Sequence, residues 1–388
     1  MIPPDIEPSS SSAAPELPPA ESGPPALEPP PLTQSQPSID APPPPVMRTI
    51  TFECYARGGE YFRIWIVNLL LSVVTLGIYS AWAKVRRLRY VYGNTSLDGS
   101  RFEYHGQPIA ILKGRVLAVG AYVLFTVMSQ LSPFLALAMV GLFLAALPWI
   151  VVRALMFQCY MTAWRGLRFR FAATYGQSFR SQVLWPVLSI FTFGLAFPWV
   201  IWNSFRFQVT STSYGSQPLE FRTTPWQVYR PFLVAALLVA AGIAGIVLLV
   251  GSTGSDVDFA DYAQAHPLPL ASAIGVGLTS VLVTVVYLQV SLSNALLSGV
   301  VVGPHRLVSS QRLLPMLSIV VTNTVLTILT LGLYLPWSNT RLLRYRLEHL
   351  QVQATGDLQA FTAAASTAPG ALGDAVGDIF DVDLSFGF

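Results

Sequence analysis

Groups able to do chemistry are sparse in this sequence, and their spacing matters more than their number. The 4 histidines, His105, His266, His305 and His349, stand alone, without a His-Glu-x-x-His motif or a second metal ligand at helical spacing. Cys54 and Cys159 are too few for a disulfide framework and lack the spacing of a metal pair, so they read as small buried apolar residues. Intramembrane hydrolysis would need a Gly-x-Ser-x-Gly elbow or paired aspartates inside apolar segments, and neither occurs. The expectation is a protein that is not an enzyme, with no catalytic residue, no metal site and no cofactor.

The remaining chemistry is that of arginine. All 23 Lys and Arg residues fall between Arg48 and Arg346, and only Lys84 and Lys113 among them are lysine. A basic middle between acidic ends is compatible with nucleic acid. These arginines lie beside long apolar stretches, however, so the expected partners are membrane lipids with anionic headgroups, and no nucleic acid. Composition agrees: 53% of the 388 residues are hydrophobic, 11% are charged, and mean hydropathy is +0.53. Soluble domains carry roughly 25% charged residues, so lipid must supply much of the burying solvent here.

The elements that position these groups follow from the apolar pattern. Residues 1–47, rich in proline and acidic side chains, predict a disordered tail with polyproline character. Stretches 116–131, 134–152, 231–251 and 268–292 hold no Asp, Glu, Lys or Arg and approach the roughly 20 residues that cross a bilayer. They pair into two helical hairpins, the second joined by an acidic connection at 252–267.

Three further apolar segments, 62–83, 181–202 and 313–337, align without gaps. Thr75, Thr192 and Thr330 coincide, as do Gly77, Gly194 and Gly332, and Trp82, Trp199 and Trp337. Fourteen residues after each threonine stand Arg89, Arg206 and Arg344. Asn68 and Asn323 share a position seven residues before it, and Arg86 and Arg341 share another. The Asn, Thr and Gly positions are candidate repeat or pore residues. The Trp and Arg positions are candidate anchors at the membrane interface. Glu60 is a candidate ion-pair partner for Arg57 or Arg63.

A weaker pattern flanks these segments. Leu97–Tyr104 and Trp164–Phe171 each set a glycine three residues before a Phe-x-aromatic pair, and Tyr214–Phe221 matches with one insertion. With Ile50–Tyr55 they predict short strands forming a small sheet on the membrane face. The chain then divides into a tail (1–47), a membrane repeat unit (48–162), a second unit (163–293), a half unit (294–350) and an acidic C-terminal tail (351–388).

The residues Gly59–Phe62, the run Asn68–Tyr90, the stretch Gly93–Gly106 and the acidic end at Asp374–Asp383 resemble the YjgN-type inner-membrane family of bacteria, the DUF898 family, over about residues 48–388. That resemblance implies a multi-pass protein of the inner membrane of Gram-negative bacteria, in a family whose activity is not established. The second repeat departs from the pattern: Trp185 and Asn203 stand where the first has Asn68 and Arg86.

The expected fold class is mainly α: a polytopic membrane protein with two transmembrane helical hairpins plus three repeated, kinked segments that re-enter or span, and short cytoplasmic β-hairpins. Re-entry puts every basic stretch on the cytoplasmic side, as the positive-inside preference asks. Broken helices line substrate sites in transporters, so a transport or channel-like role is the leading expectation. The alternative is a structural or adaptor protein that recruits partners or senses lipid through its cytoplasmic face. A polar cavity lined by Asn68, Thr75, Asn323 and Thr330 favours the first, and a dry interior the second.

Overall fold

Short runs of alternating residues recur along the chain, and each becomes a strand. The computed structural model describes residues 47–251, 266–356 and 358–366; the expectations for 1–46, for the acidic connection at 252–265 and for the end beyond 366 lie outside the described residues. The strands are β1 (Met47–Cys54), β2 (Thr95–Leu97), β3 (Ser100–Tyr104), β4 (Thr162–Trp164), β5 (Leu167–Phe171), β6 (Thr212–Tyr214), β7 (Gln217–Phe221), β8 (Val300–Val302), β9 (His305–Ser309) and β10 (Leu350–Thr355). They pair antiparallel in chain order and form a closed barrel of ten strands, larger than the small sheet expected. The first strand does the closing: Met47–Thr51 of β1 pairs with β10, and Phe52–Cys54 pairs with β2. Apart from β1, strands of three to six residues would be nearly all edge in an open sheet, and closure removes those edges.

Two-residue turns set the register. Asp98-Gly99 and Arg165-Gly166 carry positive φ at both positions, the type I′ pattern that matches strand twist. In the third hairpin the glycine moves forward one place, to Gly215, with the same strand lengths on either side. What looks like an insertion in the sequence is therefore a change of turn type.

Between strand pairs the chain leaves the barrel along one helix and returns along another. The helices are α1 (Gly58–Val74), α2 (Ser80–Gly93), α3 (Pro108–Leu131), α4 (Pro133–Tyr160), α5 (Tyr175–Phe179), which runs through a π-helical turn at Arg180–Leu184 into α6 (Trp185–Phe191), then α7 (Phe197–Thr210), α8 (Pro225–Gly251), α9 (Pro267–Leu297), α10 (Leu313–Leu329), α11 (Leu335–Glu348) and α12 (Leu358–Ser366). The four helices α3, α4, α8 and α9 are long and apolar enough to cross a membrane. Helices α1 and α10 have 17 residues each, about 25 Å, against roughly 30 Å of bilayer core.

One backbone hydrogen bond closes the base of every helical excursion: Tyr55 to Asn94, His105 to Met161, Ala172 to Ser211, Arg222 to Gly299 and Ser310 to His349. The first, third and fifth excursions, which contain the aligned segments, therefore start and end at the barrel, as the long ones do. Each returning helix rests on a strand, α2 on β3, α4 on β5, α7 on β7, α9 on β9 and α11 on β1. The contact of α11 with α1 closes the helices into a ring, as β1 closes the strands. Residues 351–366, assigned by composition to an acidic tail, instead supply most of β10 and all of α12.

Candidate functional site

The three aligned segments owe their bend to Thr and Gly acting together. Thr75 Oγ1 donates to Leu71 O at 2.7 Å and accepts from Tyr79 N at 3.0 Å. Gly77, at φ +91°, turns its N–H back to Ser72 O at 2.7 Å. Thr330 and Gly332 repeat this with Leu326, Tyr334 and Thr327, and Thr192 and Gly194 with Ser189 and Ala196. A left-handed glycine and a hydroxyl that both donates and accepts leave the turn with its polar groups paired. Around them the tips are apolar and bare: Leu76, Phe193 and Leu331 are 95%, 98% and 95% exposed. These turns suit hydrocarbon, which demands internal satisfaction of the backbone.

Asn323 lies buried between α10 and α11, where its Nδ2 donates to Ser338 O at 3.3 Å and its Oδ1 receives Arg341 Nη1 at 3.5 Å. Asn68 is buried too, and its Oδ1 has no hydrogen-bond partner among the described residues. At the same place in the second segment Trp185 meets Trp199 edge to face, with 5.7 Å between centroids. Glu60 pairs with the Tyr90 hydroxyl at 3.4 Å rather than with Arg57 or Arg63, because Tyr90 stands over the start of α1 and also bonds both backbone groups of Arg57.

The arginine positions serve the ring. Arg89 Nη2 donates to Gly106 O at 3.2 Å, and Arg344 Nη2 donates to Ala56 O at 2.9 Å; each carbonyl lies at the start of the next helical excursion. In the middle segment Trp202 Nε1 takes that role toward Thr223 O at 2.8 Å, with Arg206 stacked 5.1 Å from the Trp202 ring. Trp337 packs on Phe62 at 4.9 Å and against Gly58, where a Cβ would collide with its ring. Trp82 stacks on Tyr79, one turn from the bend, and Arg86 is exposed on α2.

Barrel residues pointing inward fill the bore. Leu97, Trp164, Tyr214, Val352 and Ala354 are buried there, joined by Phe52, Phe102, Phe169 and Leu219. Helix α12 closes the space: Leu358 and Ala365 are buried in the same cluster, with Phe361 packed against it. The Tyr214 hydroxyl donates to Trp164 O at 2.9 Å, and burial raises its pKa to about 12, so the barrel holds no charge there. His305 is 3% exposed, edge-on to Phe361 at 4.6 Å, with neither ring nitrogen bonded among the described residues. Burial holds its imidazole below the ordinary histidine value. At the rim, Arg165 pairs with Asp98 at 2.7 Å and stacks over Trp164, beside a shallow cleft of about 400 Å³ shared with Gln359 and Thr362 of α12.

Sequence reasoning missed α12 and His305. The available signal was the apolar spacing Leu358, Phe361, Ala365, but a helix of nine residues is too short to stand out.

Residues 49–379 match the family described as a bacterial protein of unknown function, DUF898. The chain belongs to the DUF898 family. Curated relatives include the inner membrane protein YjgN of Salmonella typhimurium, 33% identical over 133 residues, and that of Escherichia coli K12, 33% identical over 123 residues. These alignments cover about a third of each protein: 34% of this chain and of the Salmonella protein, 31% of this chain and of the K12 protein. No solved structure matches. With four helices of membrane-crossing length, this DUF898 chain is a multi-pass protein of the bacterial inner membrane.

Proposed function

We propose that the protein is a non-catalytic scaffold of the inner membrane, which presents a plugged barrel to the cytoplasm and engages anionic lipid and partner proteins there. In this reading the three short excursions are copies of one block that dips into the bilayer and returns. All helical excursions then start and end at the barrel, and the positive-inside preference sets that face in the cytoplasm.

The observation that carries the proposal is the filled bore: apolar side chains from around the barrel, capped by α12, pack its interior. Neither the cleft beside Arg165 nor the one between α8 and α9 at Arg222 is lined by Asn68, Thr75, Asn323 or Thr330. A conduit remains the second reading because Asn68 Oδ1, buried without a hydrogen-bond partner among the described residues, lies in a helix somewhat shorter than the bilayer core.

Flux measurement separates them. Liposomes holding the purified chain should release a small dye or potassium no faster than empty liposomes, and Phe361→Ala should not change that. Release that depends on the protein and rises with Phe361→Ala would replace the scaffold by a gated pore.

A further inference from the structure

We propose that a cleft between α8 and α9, at their barrel ends, binds the phosphate of an anionic phospholipid. The inference deepens the lipid-engaging role proposed above and rests on that placement of the barrel against the membrane surface.

The cleft has a volume of about 450 Å³ and carries Arg222, Arg230 and Arg306 at its polar end. Arg222 is already held by Glu220 at 2.8 Å, and Arg306 Nε donates to Ser298 O at 3.0 Å, while its two terminal amino groups have no partner among the described residues and can face a ligand. Arg230 has no hydrogen bond or ion pair among the described residues. Guanidinium groups converging on one cleft match phosphate oxygens in geometry and charge.

The cleft wall is fixed before any ligand arrives. Asn294 Oδ1 receives Gln311 N at 3.0 Å and Ser309 Oγ at 2.8 Å, and Ser298 Oγ receives Ser309 N at 3.0 Å. These side chains are spent on the protein and set the shape, leaving recognition to the arginines.

Position along the helices argues for a lipid over a free anion. The cleft runs from the barrel into Pro231, Val234 and Tyr287, an apolar end lying between membrane-crossing helices. A soluble phosphate would leave that end unfilled, whereas a phospholipid places its headgroup among the arginines and its first methylenes below.

The other long excursion supplies an internal control. Aligned through the bonds at its base and the pairing of its strands, Lys113 and Arg168 stand where α8 and β9 have Arg230 and Arg306. Met156 and Tyr160 replace Asn294 and Ser298, and Arg168 lies over the Tyr160 ring at 4.5 Å. There the arginine is engaged by an aromatic ring, and the polar side chains that shape the cleft wall are missing.

The test titrates the full chain in neutral detergent with phosphatidylglycerol, phosphatidylcholine or inorganic phosphate, reading the thermal unfolding midpoint. Phosphatidylglycerol should raise the midpoint saturably and the other two should not. Arg230→Gln or Arg306→Gln should weaken apparent phosphatidylglycerol affinity about tenfold each, the size of one lost charged hydrogen bond, and Lys113→Gln should leave it unchanged. Wild-type affinity in both arginine variants overturns the site. An equal response to inorganic phosphate overturns the lipid as its occupant. Neither result bears on flux, so the scaffold reading stands or falls separately.

Discussion

The two long helical excursions have similar length and apolar character, and they pack differently. In α8–α9 three glycines face the partner helix, while Gly275 faces open space: a Cβ on Gly242 would collide with Ser280, one on Gly245 would lie 3.2 Å from Val276, and one on Gly277 would lie 3.3 Å from Ile246. Ser280 Oγ also donates across to Leu238 O at 3.2 Å. In α3–α4, Gly114, Gly120 and Gly141 face open space, no side chain of α3 is buried, and in α4 only Pro148 is. Lipid chains are as apolar as leucine, so hydrophobicity does not choose a helix partner inside a bilayer. Small residues in register, which let backbones approach, do.

The sharpest way to break this contrast is Gly242→Val, which forces α8 and α9 apart. A loss of roughly 2–3 kcal/mol is expected in a denaturant titration of the micellar protein. Gly120→Val should stay within about 0.5 kcal/mol of wild type, and equal losses would mean that the glycines do not distinguish the two pairs.

The strands beside the two excursions differ as well, since Leu167 of β5 occupies the place held by buried His305 in β9. The His305 pKa is lowered from 6.5 by burial, so the unfolded chain binds a proton that the folded barrel resists. Stability should be flat above pH 6.5 and fall below it, by at most about 1.4 kcal/mol per pH unit until the folded pKa is reached. His305→Phe should flatten that decline; an unchanged slope assigns it to another group.

Ser280→Ala tests the smallest element of the close packing. It should cost about 0.6 kcal/mol, the usual worth of a hydrogen bond between membrane helices. A neutral result would leave the glycines alone responsible.

Legibility followed the range of the interaction. The Thr-x-Gly bends could be read because their hydrogen bonds span at most five residues, Gly77 to Ser72 for instance. The same spacing left the arginines' partners unread, since the partner of Arg89 is the carbonyl of Gly106 and that of Arg344 lies 288 residues earlier, at Ala56. The strand hairpins were visible as glycine and aromatic patterns. Val300–Ser309 escaped because it has no Phe, Tyr or Trp and its Gly303 is followed by proline.

By itself the sequence determined that the chain is membrane-embedded, where its long helices run and where its short segments bend. Hydropathy, φ preference and nearby hydrogen bonds are properties of adjacent residues, and these decide such features. Closure was decided only in three dimensions. β1 must meet β10, α11 must meet α1, and α12 must enter the bore. Those contacts join distant parts of the chain whose individual strands and helices are too short to be stable apart, and only the completed ring buries them together.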